Sequence, residues 1–153
     1  MDIGFFVDNL GPSQFSFELI HESNKLLKAN PSYSVTAFTR QVDILISQPN
    51  FPIQMQFNAW GWKGIAIATS YNSARVLKNV YSPKRKFLYV WNLDWMSSTK
   101  NVTHYMDIYD SDLDLIARSE EHYEILKTMW KEPLEIIEDF NYEQLAQKIA
   151  KYS

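Results

Sequence analysis

The chain has 153 residues, of which 46% are hydrophobic and 15% aromatic. This length and composition are typical of one folded domain with a core of its own and exclude a disordered chain. A formal net charge of −3 argues against a protein that binds nucleic acid through its charge, and the absence of cysteine excludes disulfides, thiol catalysis and cysteine metal ligands. No stretch reaches the roughly 18–20 apolar residues of a membrane span, and the first residues lack a signal-peptide pattern, so we expect a cytoplasmic protein.

The beginning of the chain predicts a strand, a helix and a second strand. Residues 3–7 are apolar and read as a buried strand, which Gly11 and Pro12 end. Residues 15–28 carry apolar side chains at helical spacing with charged residues between them, and residues 33–38 are β-branched and aromatic. This segment therefore predicts a βαβ unit of a parallel sheet.

The middle of the chain is less regular. Residues 42–46 and 53–57 each have the composition of a short strand, and prolines separate them. Residues 58–64 are predicted to form an aromatic loop.

The rest of the chain alternates between strands and helices. Capping side chains at Ser70, Ser119 and Asn141 predict the starts of three helices, and a short helix is expected at 105–109. We therefore predict an α/β fold, a single Rossmann-like domain with a mainly parallel sheet of about six to seven strands flanked by helices. The remaining strands are expected at residues 64–69, 87–91, 113–117 and 134–137.

A polar and aromatic cluster, Asn92, Asp94 and Trp95, follows the strand at 87–91. In open α/β sheets, ligands bind at this carboxyl end of the strands. Neighbouring rings would desolvate Asp94 and raise its pKa, which suits a general base. Asp94 is therefore the candidate catalytic residue, with a helix cap or a buried hydrogen-bond acceptor as the alternative.

Two further features bear on ligand binding. The loop at 8–13 could place backbone amides and a helix start near an anion or a sugar, but it has one glycine where the dinucleotide fingerprint needs three, and a plain turn is the alternative. Aromatic rings at strand ends could stack on a sugar or a base, or simply pack in the core. The tryptophans in question are Trp60, Trp62, Trp91 and Trp95.

No pattern predicts a metal or a cofactor, and we expect neither. The residues Asp110, Ser111 and Asp112 have the D-x-D spacing of some metal-dependent glycosyltransferases, but they read more simply as solvated acids before a strand. The three histidines are far apart, and the basic residues at 84–86 are either a solvated loop or a contact for a phosphate or a partner.

The order of elements resembles the amino-terminal half of glycosyltransferases of the GT-B architecture, which are built from two Rossmann-like domains. Three segments carry the resemblance: residues 3–13, residues 64–70 together with the strand that ends at 89–95, and residues 113–121. It implies a domain that binds the sugar acceptor, whereas the donor-binding half is absent from this sequence. A partner chain would then supply the site for the nucleotide sugar.

The leading hypothesis is therefore a glycosyltransferase-like, acceptor-side domain that takes part in hexosyl transfer, with a sugar acceptor or nucleotide sugar as ligand and no nucleic-acid partner. The alternative is a non-catalytic binding or assembly module on a Rossmann scaffold, since one scaffold hosts many functions. A small-molecule enzyme of flavodoxin-like fold is disfavoured because no phosphate-binding loop is present. The predicted substrate-binding residues are Asn9, Gly11, Ser13, Asn58, Trp60, Ser70, Asn92 and Trp95.

Overall fold

Every neighbouring pair of strands in the sheet runs parallel. The computed structural model describes residues 1–41, 43–97 and 102–152. Within these ranges, seven strands form one sheet of order β3-β2-β1-β4-β5-β6-β7, which confirms the predicted α/β, Rossmann-like fold. The strands are β1 (Asp2–Asn9), β2 (Ser34–Gln41), β3 (Ile53–Met55), β4 (Ile65–Ala68), β5 (Arg85–Val90), β6 (Asp114–Ala117) and β7 (Glu135–Ile136).

Helices cover both faces of the sheet, and most of the longer ones begin at a side-chain cap. The hydroxyls of Ser13, Ser70 and Ser119 and the amide oxygen of Asn141 each accept a hydrogen bond from a backbone N–H of the first turn, and the sequence predicts the last three of these caps. The α-helices are α1 (Gln14–Ala29), α2 (Tyr71–Lys78), α3 (Asp94–Ser97), α4 (Thr103–Tyr109), α5 (Glu120–Met129) and α6 (Tyr142–Ile149). Short 3₁₀ helices span Gln56–Gly61, Glu138–Phe140 and Ala150–Tyr152.

The central strands are buried on both sides, which is why their sequences are continuously apolar. In β5, Phe87 and Tyr89 point to the face covered by α1 and α6, whereas Leu88 and Val90 point to the face covered by α2 to α5. This alternation follows from the two-residue period of a strand and divides the core into two layers.

The irregular middle of the chain differs in part from the prediction. The strand predicted at 42–46 is wrong for Asp43–Ile46, which have no strand structure, and Val42 lies outside the described residues. Ile44 is 86% exposed, so burial of its apolar side chain does not stabilise a strand here. The next predicted strand is confirmed as β3, but it ends at Met55, where a 3₁₀ helix takes over most of the predicted aromatic loop.

Among the helices that the structure describes, none has both the length and the apolar character required to cross a membrane.

Candidate functional site

A cleft of about 250 Å³ opens at the carboxyl ends of β1, β4 and β5. The sheet order reverses here, because β2 lies on one side of β1 and β4 on the other. Open α/β sheets bind their ligands at such a reversal, because the connections that leave the two strands diverge to opposite faces. We call this the switch-point cleft. It is lined by Asp8, Asn9, Phe15, Thr69, Ser70, Trp91, Asn92 and Asp94.

Asp8 links the two strands that border the reversal. Its Oδ2 atom accepts hydrogen bonds from the Ser70 hydroxyl at 2.8 Å and from the Asn72 amide at 3.4 Å. Its Oδ1 atom is buried and has no hydrogen-bond partner among the described residues. The acceptor capacity of this buried oxygen is therefore used by none of the described residues.

The Ser70 side chain both caps α2 and donates a hydrogen bond to Asp8. Its hydroxyl oxygen accepts a hydrogen bond from the Ser73 backbone N–H at 3.0 Å and so caps α2, while the hydroxyl proton is donated to Asp8. The Ser73 hydroxyl in turn lies 3.0 Å from the Ser70 backbone nitrogen and closes a capping box. These bonds fix the start of α2 against the end of β1.

Asp94 is the first residue of α3 and lines the cleft with a half-buried side chain. Burial, and secondly the negative charge of Asp8, raise the pKa of Asp94 above its ordinary value of 3.8. Its carboxylate makes no hydrogen bond to any residue that the structure describes. An unpaired carboxylate with increased proton affinity can accept a proton from a bound hydroxyl group.

The neighbouring loop is organised by Asn9. The Asn9 Oδ1 atom accepts a hydrogen bond from the Gly11 backbone N–H at 2.8 Å, and its amide nitrogen donates to Asp43. Hydrogen bonds from Gln41 and then from Asn9 lower the pKa of Asp43, which stays ionised at the rim. The Asn9 side chain therefore uses much of its hydrogen-bonding capacity to stabilise the loop.

Trp91 forms an aromatic wall of the cleft together with Phe15. Its ring stacks on Phe140 at a centroid distance of 5.4 Å and an interplanar angle of 9°, and meets Phe15 edge-on at 5.6 Å. The Arg118 guanidinium lies 3.8 Å from the Trp91 ring centroid. With only 7% of the residue exposed, Trp91 acts as a rigid wall rather than as an open stacking platform.

The structure brings together four of the residues predicted for the site: Asn9, Ser70, Asn92 and Asp94 line the same cleft. Two others lie on the loop that follows β1. Gly11 is buried beside the side chains of Asn9 and Asp43, and Ser13 caps α1 by accepting a hydrogen bond from the Ser16 N–H at 3.1 Å.

The other predicted residues lie elsewhere. Trp95 is only 5% exposed and packs edge-on against Tyr109 and Trp130 in the layer formed by α2 to α5. Asn58 is exposed on the 3₁₀ helix at Gln56–Gly61, and Trp60 on the same helix lines a separate pocket beside α2.

Asp8, Phe15, Thr69 and Trp91 line the cleft but are not among the predicted site residues. A usable signal existed for Asp8, because it is the first charged residue after the apolar run of β1 and so stands at the carboxyl end of that strand. Trp91 is one of the four tryptophans for which the sequence leaves open whether the ring stacks on a ligand or packs in the core. Phe15 carried no such signal, because a phenylalanine at helical spacing is most simply a core residue.

Within residues 1–41, 43–97 and 102–152, no group of three or more histidine, aspartate or glutamate side chains is arranged to hold a metal ion. Comparisons of the chain with protein families, with curated proteins and with solved structures found no match.

Proposed function

We propose that this chain is the acceptor-side domain of a glycosyltransferase-like protein. The switch-point cleft binds a hydroxyl-bearing acceptor, Asp94 accepts the proton of the reacting hydroxyl, and a second domain or partner chain supplies the nucleotide-sugar donor. The observation that carries this proposal is the half-buried carboxylate of Asp94 at the reversal of the sheet order, which pairs with no described residue and whose pKa is raised by burial and by Asp8.

The composition of the cleft favours a neutral, polyhydroxylated ligand. Among the described residues, its lining combines two carboxylates with hydroxyl and amide side chains and contains no lysine or arginine. Carboxylates accept hydrogen bonds from sugar hydroxyls, while amides and hydroxyls both donate and accept them. The two negative charges would repel a phosphate group, so the donor diphosphate is expected to be bound by the second domain.

The proposed step uses Asp94 as a general base. The acceptor O–H gives its proton to the Asp94 carboxylate while the acceptor oxygen forms a bond to the anomeric carbon of the donor. The bond from that carbon to the nucleotide diphosphate breaks, and the diphosphate departs with the electron pair. The raised pKa of Asp94 increases the driving force for the proton transfer.

Acceptor binding is tested first, because it requires this chain alone. The wild-type protein is titrated with a panel of mono- and disaccharides, and binding is followed by ligand-observed NMR and by the rise in Tm that a ligand specific for the native state must cause. We expect at least one saccharide to bind, and we expect Asn92→Ala to weaken it. Lys28→Gln, an exposed α1 position, is the control that should leave binding unchanged. If no saccharide binds the wild type, the proposal fails.

Asp94→Asn then separates the catalytic role from a binding role. The amide keeps the shape of the carboxylate but cannot accept a proton, so transfer from a nucleotide sugar in the presence of the donor-binding partner should fall by roughly 100-fold or more. Saccharide binding should persist. Unchanged transfer in the Asp94→Asn variant would exclude Asp94 as the base.

One observation favours a second candidate, a non-catalytic binding module. The described residues of the cleft lining include no cation that could stabilise a departing diphosphate, so these residues suffice to bind an acceptor but not to complete a transfer. A module of this kind would bind its saccharide equally well as wild type and as Asp94→Asn, and transfer would be absent with every donor domain tested.

A further inference from the structure

A second pocket, with a volume of about 580 Å³, lies between α2 and the 3₁₀ helix at Gln56–Gly61. We call it the arginine pocket. Its size falls within the range of small-molecule sites. It is lined by Arg40, Trp60, Asn72, Arg75, Val76 and Asn79.

The two arginines of this pocket differ from the other arginines of the chain. The sequence has four arginines. Arg85 pairs with Asp114 and Arg118 pairs with Asp139, each at 2.6 Å. Neither Arg40 nor Arg75 forms an ion pair with any residue in the described ranges. Both unpaired guanidinium groups therefore line the same pocket.

The guanidinium of Arg75 is also held in place. It lies 5.9 Å from the centroid of the Tyr71 ring, within the range of a cation–π contact, and this contact leaves its N–H donors available. A guanidinium presents a planar fork of donors that matches two oxygens of a phosphate. Two such groups on one pocket suit a doubly charged phosphate monoester better than a singly charged carboxylate.

The same pocket presents the most exposed tryptophan of the chain. Trp60 is 61% exposed, whereas Trp91 and Trp95 are buried and Trp62 and Trp130 are partly buried. Its backbone is anchored, because the carbonyl oxygen of Trp60 accepts a 2.7 Å hydrogen bond from the Ser82 hydroxyl. An exposed indole on a fixed backbone offers a face on which a planar base can stack.

The asparagines add polar contacts at the side of the pocket. The Asn79 amide nitrogen donates to the Arg75 carbonyl oxygen at 3.0 Å, and the Asn72 amide nitrogen lies 3.4 Å from Asp8. Their amide oxygens have no donor among the described residues and can accept hydrogen bonds from the amino groups of a base.

We propose that the arginine pocket binds a nucleoside monophosphate, with the phosphate on Arg40 and Arg75 and the base stacked on Trp60. This site is independent of the proposed function, because it shares no lining residue with the switch-point cleft. The chemistry is also opposite, since the cleft is acidic and the pocket basic. A free mononucleotide is favoured over a nucleic-acid strand because the chain as a whole carries a net charge of −3.

The test is a titration of the purified full chain with AMP, GMP, CMP and UMP, followed by calorimetry and by quenching of tryptophan fluorescence. We expect at least one mononucleotide to bind and to quench the emission. Arg75→Gln and Arg40→Gln should each weaken binding roughly tenfold or more through the loss of charge-assisted hydrogen bonds. Trp60→Ala should weaken binding and remove the quenching.

The controls separate this site from unspecific attraction and from other ligands. Lys28→Gln removes the same charge from an exposed position on α1 and should leave affinity unchanged. The proposal is overturned if no mononucleotide binds or if Lys28→Gln lowers affinity as much as Arg75→Gln. It is also overturned if inorganic phosphate or the nucleoside alone binds as tightly as the mononucleotide, or if a single-stranded oligonucleotide binds more tightly per site.

Discussion

The Ser70 hydroxyl donates a 2.8 Å hydrogen bond to the carboxylate of Asp8 while it caps α2. Asp8 stands near the end of β1, and Ser70 follows β4, so this contact is one of those that join the two sides of the sheet reversal, together with the pairing of β1 with β4 and the bond from the Thr69 hydroxyl to the Phe6 carbonyl oxygen. Both Asp8 and Ser70 line the wall of the switch-point cleft.

Replacement of Ser70 by alanine should therefore cost more stability than the loss of an ordinary helix cap. The cap contributes about 1 kcal/mol, and the lost partner of Asp8 adds a further cost of similar size, so we expect a loss of roughly 1–3 kcal/mol. The free energy of unfolding from urea titration measures it.

Ser119→Ala is the matched control for this prediction. Ser119 caps α5 by accepting a 3.2 Å hydrogen bond from the His122 N–H and has no carboxylate partner in the described part of the chain. The difference between the two variants reports the side-chain contacts that Ser70 makes beyond its cap, with Asp8 at 2.8 Å and with the Ser73 hydroxyl at 3.0 Å. Equal losses in both variants would show that these contacts contribute nothing.

Asp94→Asn should stabilise the protein at neutral pH. Because the folded-state pKa of Asp94 is raised, the native state binds this proton more tightly than the unfolded state. Wild-type stability therefore falls as the pH rises from the ordinary value of 3.8 through the folded-state pKa, and an uncharged amide is free of this cost. We expect a higher Tm for the variant at pH 7 and convergence of the two proteins toward acid pH.

The control for the pH effect is Asp110→Asn, an exposed aspartate at the end of α4. Because the Asp110 side chain is exposed, its replacement should change the Tm at pH 7 much less than Asp94→Asn does. A Tm difference between Asp94→Asn and wild type that stays constant with pH would contradict a titration origin.

Tyr89→Phe should loosen the segment that follows β7. Tyr89 is fully buried, and its hydroxyl donates to the Ile137 carbonyl oxygen at 2.6 Å while accepting from the Phe140 N–H at 3.4 Å. The variant leaves both backbone groups without this partner, and we expect a loss of roughly 1–3 kcal/mol in unfolding free energy.

The same segment carries positive φ angles of 43° at Asp139 and 59° at Phe140, a conformation that side-chain-bearing residues adopt only when their surroundings hold them. Hydrogen exchange of the Phe140 amide should therefore accelerate in Tyr89→Phe. Tyr33→Phe is the comparison, because the Tyr33 hydroxyl donates to the Ala146 carbonyl oxygen at 3.2 Å from a partly buried position, and it should cost less.

Gly64→Ala should destabilise the protein, whereas Gly61→Ala should not. A Cβ atom at Gly64 would lie 2.8 Å from the Asp2 Cβ atom and closer still to the Asp2 backbone oxygen, so β1 and the start of β4 would have to separate. Steric overlap of this kind typically costs about 1–3 kcal/mol. A Cβ atom at Gly61 meets nothing within 4 Å. Similar Tm values for the two variants would contradict the close approach at Gly64.

Much of the fold could be predicted from the sequence because its signals are local. The continuous apolar runs of β1 and β5, the helical spacing of α1 and the capping side chains at Ser70, Ser119 and Asn141 each act within a few residues. The predicted strand at 42–46 was wrong over Asp43–Ile46 because apolar composition alone does not show whether a segment finds a neighbour to pair with, and Ile44 stays exposed.

The site was only partly predictable. The rule that ligands bind at the carboxyl ends of parallel strands points to Asn9, Ser70, Asn92 and Asp94, and these four do line one cleft. Trp95, five residues beyond the end of β5, could not be placed in this way. The helix α3 begins at Asp94, and Trp95 packs into the layer on the other side of the sheet from Trp91.

By itself, the sequence determined which segments become strands and helices and that the sheet is mainly parallel, because hydrophobic periodicity and capping are properties of neighbouring residues. Only the tertiary structure decided that β4 lies beside β1, which brings Asp8 to Ser70. It also decided that Asp94 is half-buried near Asp8, and burial together with the charge of Asp8 raises the pKa of Asp94. It likewise decided that Arg40 and Arg75 line one pocket. These contacts join residues that are dozens of positions apart in the sequence. They depend on the order of the strands in the sheet, and no local sequence pattern encodes that order.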